Sequence, residues 1–116
     1  MTNIPVLSQL EQYLSVTSKR ATVIASNMAN VDTPGYHTRD VDFQHELSRA
    51  LSSNEGETKP VQVHTVSGLM ERPDGNNVDV DRESVLLSEA QLQYQVGTQL
   101  LKSNFHQLMS AINGDK

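Results

Sequence analysis

The chain has no cysteine among its 116 residues, which excludes disulfides, thiolate metal sites and cysteine nucleophiles. Tryptophan is also absent, and aromatic residues make up only 4% of the chain. Hydrophobic residues account for 36%, so the chain has little material for a large private core. We therefore expect one small domain over residues 1–116 that needs a partner to cover part of its apolar surface.

Long hydrophobic runs are missing as well. No apolar run approaches the ~18 residues that a membrane span requires, so we expect no direct membrane span. The first residues, "MTNIPVLSQLEQYL", lack the basic and apolar regions of a cleavable secretory signal. If the protein leaves the cytoplasm, it uses a route without such a signal. The net charge of -5 argues against nucleic acid as the main partner, because a phosphate backbone attracts basic surfaces.

Common catalytic motifs are absent too, including GxSxG, a phosphate-binding glycine loop and HExxH. We therefore predict no enzymatic activity, no cofactor and no small-molecule substrate.

Two polar segments raise the question of a metal site. Acidic and histidine side chains cluster at His37, Asp40, Asp42, His45 and Glu46, but their spacing matches no compact ligand motif. The segment "DGNNVDVDRE" lacks the central glycine and the terminal acidic residue of a calcium loop. We predict that neither segment binds a metal, that the first is a set of surface or interface groups, and that the second is a turn followed by a helix cap.

Residues 5–31 carry a helical pattern. Apolar and small residues recur at alternating spacings of three and four, which indicates a coiled-coil seam. The seam residues are Leu7, Leu10, Leu14, Thr17, Ala21, Ile24, Met28 and Val31. The predicted outer faces carry Gln9, Glu11, Gln12, Lys19, Arg20 and Asn27.

A second long helix is predicted over residues 79–113. Asp79 or Asp81 can cap its start, Glu83 adds favourable charge to its first turn, and Gly114 suits a left-handed residue past its end. Lys116 would complement the helix dipole. Its apolar stripe comprises Leu87, Ala90, Tyr94, Leu101, Phe105, Leu108 and Ile112, with Thr98 filling the gap. We expect Leu10, Leu14 and Ile24 to meet Leu101, Phe105 and Leu108, within one subunit or across two.

Residues 32–78 form a turn and an irregular middle segment. Pro34 and Gly35 fit the central positions of a type II turn, and Asn30, which tolerates a left-handed conformation, ends the first helix. A short helix is predicted at 41–51, a polar loop at 52–60 and a short strand in "VQVHTV". Alternation turns Val41 and Phe43 to one side. The predicted fold is mainly α: an antiparallel coiled-coil hairpin of two long helices with a polar, partly irregular middle.

Two blocks of the sequence carry a resemblance. "ASNMANVDTPGYHTRDVDF" resembles the N-terminal signature of the flagellar rod and hook family, and "DGNNVDVDRESVLLSEAQLQY" resembles the block that opens the C-terminal helix in its rod subset. The short chain looks most like the proximal rod proteins. The match covers nearly the whole chain and is loose over residues 50–72.

The resemblance implies a structural subunit of the proximal flagellar rod, periplasmic and exported without a cleaved signal. It would transmit torque and line the export channel with its terminal helices. Its partners would be itself, other rod subunits, the adapter between rod and membrane ring, and the flagellar type III export apparatus. The residues implied for assembly and the turn are Asn27, Asn30, Asp32, Thr33, Pro34, Gly35, Tyr36, Arg39, Asp40 and Phe43. The second motif comprises Asn76, Asn77, Val78, Asp79, Asp81 and Glu83.

Two other classes of protein remain open. A small helical adaptor or chaperone that binds a partner helix would explain the seam, but not the two blocks. A metal- or nucleotide-binding regulator is disfavoured by the missing motifs.

Overall fold

The structure is a computed structural model that describes residues 3–52 and 60–114. Two long helices, α1 (Asn3–Ala29) and α3 (Val80–Asn113), flank a short helix, α2 (Phe43–Ser52). Strands β1 (Arg39–Asp40) and β2 (His64–Thr65) form a small antiparallel sheet. The mainly α fold is confirmed. The loop predicted at 52–60 falls largely outside the described residues, and Lys116 does so entirely.

Helices α1 and α3 pack antiparallel, as predicted. Arg20 bonds Glu89 near the middle of the pair, and Asn27 bonds Glu83 close to the end of α1. Farther out, Leu14 packs on Gly97, where a Cβ would lie 2.7 Å from Leu14 Cδ2. A larger residue at position 97 would therefore push the two helices apart.

The coiled-coil seam predicted on α1 does not contact all of the α3 residues that were expected. Ile24 lies between Arg20 and Asn27 on α1, so its partners on α3 lie between Glu83 and Glu89. Within one chain, Ile24 therefore does not meet the stretch from Leu101 to Leu108. A contact of that kind across subunits stays a prediction.

Burial along the two helices also differs from a simple leucine seam. On α1, Thr17 and Ile24 are buried, and the other seam residues whose side chains are described are half-buried. On α3, the fully buried positions are Glu83, Ala90 and Gly97. The apolar stripe predicted on this helix is less buried. Leu87, Leu101 and Leu108 are half-buried, whereas Tyr94, Phe105 and Ile112 are 45%, 55% and 65% exposed.

Helix α1 ends near Asn30, as predicted, but not through the backbone conformation that was expected there. The helix stops at Ala29, but Asn30 does not adopt the left-handed conformation, since among the described residues every positive φ belongs to a glycine. The Asn30 side chain instead donates to the Ser26 carbonyl at 2.8 Å and accepts from Thr33 Oγ1 at 3.0 Å. These bonds satisfy groups that a helix end leaves free, so no left-handed residue is needed there.

The turn that follows is the one predicted. The Tyr36 N–H donates to the Thr33 carbonyl at 3.2 Å, which closes a four-residue turn around Pro34 and Gly35. Gly35 has φ +76°, the value that the third position of a type II turn requires and that glycine adopts without strain.

The start and end of α3 also agree with the sequence. Asp79 is the N-cap and accepts from the Arg82 N–H, and Gly114 follows the last turn with φ +67°. None of the helices described here is long and apolar enough to cross a membrane.

A small apolar cluster holds the middle segment against α1. Val16, Val23 and Val41 are buried, and Phe43, Val61 and Val63 pack around them. The Phe43 ring meets the Tyr13 ring edge-on, with centroids 5.5 Å apart. The prediction that Val41 and Phe43 turn to one side is therefore confirmed.

Phe43 should be the important side chain of the segment from 37 to 46. We expect Phe43→Ala to lower the free energy of unfolding by about 2–3 kcal/mol, because it removes the ring from this cluster. His37 and His45 are exposed, and His37 Nε2 lies 3.8 Å from Oε2 of Glu71, which is also exposed. Such a pair is worth ~0–1 kcal/mol. Thermal unfolding of Phe43→Ala beside the double variant His37→Ala/His45→Ala tests this. A double variant that is the less stable of the two would contradict it.

Glu46 ties α2 to the segment that returns toward β2. It is 3% exposed and accepts from Arg49 at 2.8 Å and from the Gln62 N–H at 3.0 Å. Burial by itself raises the pKa of Glu46, but the bonds from Arg49 and Gln62 outweigh it and hold that pKa below its ordinary value.

The protein should therefore lose stability in acid through Glu46. Because its folded-state pKa is depressed, the contribution of Glu46 is complete above the ordinary glutamate pKa of about 4.3 and is lost as the pH falls through the lower folded value. Glu46→Gln should be less stable at neutral pH and should show a flatter decline below about pH 4.3. Melting temperatures of both proteins measured across this range provide the test, and parallel curves would refute it.

Candidate assembly site

The two sequence blocks meet at one end of the hairpin. We call this region the joint: residues 27–40, where α1 ends, and residues 72–83, where α3 begins. Buried polar side chains are concentrated here, and hydrogen bonds run between the two blocks.

Asn27 lies at the centre of the joint and is 0% exposed. Its amide nitrogen donates to Glu83 Oε1 at 2.6 Å and to the Arg39 carbonyl at 2.7 Å. Its amide oxygen accepts from the Tyr36 hydroxyl at 2.9 Å and from the Arg39 N–H at 3.1 Å. All four hydrogen-bonding positions of the side chain are therefore used, and they join α1, the turn, β1 and α3.

Glu83 is equally buried, with 0% exposure. Besides Asn27, it accepts from Arg82 Nη1 at 2.5 Å. A buried carboxylate is tolerated when it is paired and hydrogen-bonded, and both conditions are met. From the sequence, Glu83 was predicted to complement the helix dipole and Asn27 to lie on an outer face. Glu83 does lie in the first turn of α3, but Asn27 is buried rather than on an outer face, because the antiparallel packing turns the two side chains toward each other.

Asn76 and Asn77 attach the second block to the turn. Asn76 Nδ2 donates to the carbonyls of Asn30 and Thr33, each at 2.8 Å. Asn77 Oδ1 accepts from the Thr38 N–H at 2.7 Å and from its hydroxyl at 2.9 Å. Thr38 is 0% exposed, so the entry of the chain into β1 is fixed by a residue 39 positions away.

A buried ion pair lies beside this network. Arg20 Nε is 3.1 Å from Asp40 Oδ1, and Arg20 Nη1 is 3.1 Å from Glu89 Oε1. Burial lowers the pKa of Arg20, but the bonds and charges of Asp40 and Glu89 outweigh burial and raise that pKa above its ordinary value. Asp40 also accepts from the Val41 N–H at 2.7 Å. The pair therefore links α1 to both β1 and α3.

Several charged residues that were predicted to lie at the surface are buried. Asp40 and Glu46 were predicted as surface or interface groups, but they are 8% and 3% exposed. Arg20 was assigned to an outer face and is also 8% exposed. A charged residue becomes buried when a partner of opposite charge is brought to it. Here the partners are Asp40 for Arg20 and Arg49 for Glu46.

The turn itself is exposed at its tip. Asp32, Thr33, Pro34, Gly35 and Arg39 lie at the surface, and so do Asp79 and Asp81 at the start of α3. Buried groups thus shape the joint from inside while these residues remain accessible.

Two glycine turns abut at the tip. The Gly35 N–H donates to the Asp74 carbonyl at 2.9 Å. Gly75 has φ +87°, and a Cβ there would lie 3.3 Å from the Gly35 Cα. The two blocks therefore also touch backbone to backbone. The turn at "RPDGNN" was predicted from the sequence, but its packing against Pro34-Gly35 was not.

Metal binding was one of the alternatives that the sequence raised near this region. Within residues 3–52 and 60–114, no three histidine or acidic side chains are arranged to hold a metal ion. The polar groups of the joint are bonded to one another and shape the backbone.

Comparison with known proteins gives a consistent assignment. The sequence profile of a family described as "Flagella basal body rod protein" matches residues 11–37, which include the end of α1 and the turn. The chain is 31% identical to the flagellar basal body rod protein FlgB of Salmonella typhimurium, over 90% of each chain. It is 34% identical to FlgB of Aeromonas hydrophila over 92% of each chain. It is 31% identical to FlgB of Bacillus subtilis over 95% of each chain.

Identity at this level along nearly the full length of both chains, with a joint built from the two resembling blocks, shows that the chain belongs to the FlgB family of flagellar basal body rod proteins.

Proposed function

We propose that this chain is a structural subunit of the proximal rod of the bacterial flagellar basal body, with no catalytic activity. The observation that carries the proposal is the joint. The two blocks that resemble the family signature are far apart in sequence, and in the structure they form one bonded unit around Asn27 and Glu83.

Uncovered apolar surface supports a role in assembly. Leu92, Val96, Leu100, Phe105 and Ile112 on α3 are all more than half exposed, and exposed apolar side chains in such number indicate a binding surface. In the proposed rod, copies of this chain and of other rod subunits cover them. Contacts of this heterologous kind repeat from subunit to subunit, so the geometry of each copy is passed to the next.

The finer parts of the proposal follow from the shape of the hairpin. A subunit that measures 65 × 26 × 18 Å is elongated enough to pack side by side with others around a channel, and we propose that it lines the export channel in this way. The buried polar pairs of the joint would resist bending, which is what the transmission of torque requires. We further propose contact with the adapter of the membrane ring, export through the flagellar type III apparatus without a cleaved signal, and a periplasmic location.

Deletion and complementation test this proposal. A deletion strain should lack rods and should not swim, and the intact gene should restore both. Purified basal bodies from the complemented strain should contain the chain, with its N-terminal residues uncut when analysed by mass spectrometry. Normal rods in the deletion strain, or absence of the chain from basal bodies, would overturn the proposed function.

The turn provides a sharper prediction. We expect Gly35→Val to abolish swimming at near-normal expression, because φ +76° costs valine on the order of 1–3 kcal/mol of local strain. Gly68→Val is the matched control. Gly68 also has a positive φ, +85°, and nothing within 4 Å of either Cβ would obstruct a side chain. Both variants carry the same kind of strain, but only the first lies in the joint. Equal swimming by the two variants in soft agar would contradict a special role for the turn.

A further inference from the structure

Arg72 lies in the loosely matching stretch before the second block, and no role was predicted for it from the sequence. In the structure its guanidinium reaches two backbone carbonyls from opposite sides of the joint. Nη1 donates to the Val78 carbonyl at 2.9 Å, and Nη2 donates to the Val31 carbonyl. Val31 follows the end of α1, and Val78 precedes the cap of α3. One side chain therefore spans the exit of one long helix and the entry of the other.

The backbone of Arg72 is also fixed. Its N–H donates to the Asn76 carbonyl at 2.8 Å, and its carbonyl accepts from the Gly75 N–H at 2.8 Å. The stem of the side chain is thus anchored in the turn that carries the second block. The bond from its guanidinium to the Val31 carbonyl then connects that turn to the end of α1.

The exit turn of α1 needs such a partner. The last turn of α1 contains no basic residue, although the negative end of a helix dipole favours a cation. Asn76 already holds the carbonyls of Asn30 and Thr33, and Arg72 binds that of Val31. Two residues of the second half of the chain therefore bind three carbonyls between residues 30 and 33.

Arginine is the residue type that this geometry requires. Its planar guanidinium presents several donors in a fixed fork, so it can bind two carbonyls at once. Lysine carries one compact ammonium on a flexible stem and would favour one carbonyl over the other.

We propose that Arg72 is the positioning residue that sets the angle between the exit of α1 and the entry of α3, and thereby the orientation of the assembly surface. The expected effect of Arg72 on rod assembly rests on the proposed function, whereas its hydrogen bonds to the two carbonyls do not depend on that function.

The first experiment tests, in the isolated protein, whether the Arg72 guanidinium binds both backbone carbonyls. Nitrogen-15 NMR of the arginine side chains should show separate Nη signals for Arg72, because two carbonyl bonds hinder rotation about the Cζ–Nη bonds. Arg39 is exposed like Arg72, but its guanidinium binds no pair of backbone carbonyls among the described residues, so it should give averaged signals. Averaged signals for Arg72 would overturn the proposal, whatever the function of the protein.

The second experiment measures assembly in the deletion strain. Arg72→Gln should reduce the fraction of cells with complete rods about tenfold or more, because it loses at least one of the two hydrogen bonds that the charged guanidinium donates. Arg72→Lys should fall between Arg72→Gln and wild type, because it keeps the charge but not the fork. Lys19→Gln removes a positive charge from an exposed position on α1 and should assemble normally.

The outcomes separate the two proposals. Full assembly with Arg72→Lys or Arg72→Gln would show that Arg72 does not position the joint. Rods in the complete absence of the chain would refute the proposed function instead and would leave the NMR result standing.

Discussion

Asn27→Leu should destabilise the protein by about 3–5 kcal/mol, the usual cost of removing one partner from a buried charged group. Leucine has a similar volume, so the loss comes from polar groups left without partners. Glu83 Oε1, the Tyr36 hydroxyl and both backbone groups of Arg39 would each lose a bond. Denaturant unfolding of the purified protein would measure the loss.

Asn104→Leu is the matched control for that prediction. Asn104 also lies on a long helix and is half-buried, but its buried Oδ1 has no hydrogen-bond partner among the described residues. Replacing an unpaired amide by an apolar group is nearly neutral or stabilising. An Asn27→Leu protein as stable as Asn104→Leu would mean that the network around Asn27 does not hold the joint.

Leu14→Asp should have the second large effect, a loss of about 3 kcal/mol or more, because it places a charge without a partner between α1 and α3. Leu14 is half-buried and packs directly on Gly97, so the aspartate would face a tight contact between the two helices. We expect reduced helicity by circular dichroism and, in cells, rods that do not form although the protein is made.

Ser15→Asp controls for charge on the same turn of α1. Ser15 is exposed, so the same new charge would remain in water and should change stability by no more than about 0.5 kcal/mol. If Leu14→Asp matched Ser15→Asp in stability and in rod assembly, Leu14 would not belong to the interface between the helices.

Features that depend on neighbouring residues were predictable from the sequence. The Asp79 cap, the left-handed Gly114 and the turn at Pro34-Gly35 each follow from a few adjacent residues. Local chemistry decides them, since a proline fixes its own φ and a glycine accepts a positive one. The middle segment was predicted less well because β2 pairs with β1, and the paired residues Asp40 and His64 are 24 positions apart in the sequence.

The buried face of α3 shows why pattern alone was insufficient. Two adjacent rows on this helix repeat every seven residues. The row of Leu87, Tyr94, Leu101 and Leu108 is the more apolar, so hydropathy selects it. The row of Glu83, Ala90, Gly97 and Asn104 lies deeper against α1. Glu83 is favoured in this row because the Asn27 amide binds it, and Gly97 is favoured because Leu14 packs closely against it. Both contacts can be identified only when the register of the two helices is known.

The polar core of the joint was missed for the same reason. Asn27 and Glu83 are 56 residues apart, and Arg20 and Glu89 are 69 apart. Each is an ordinary surface residue by type, and only the antiparallel register brings the partners together. The two blocks nevertheless marked the region correctly, because most residues of the joint lie within them.

Cryo-electron microscopy of basal bodies purified from the complemented strain tests the central claim most directly. The account predicts density for this chain at the base of the rod, with α1 and α3 antiparallel and Asn27 next to Glu83 in every copy. A rod base built without this chain, or a chain whose two long helices are separated at the joint, would contradict it.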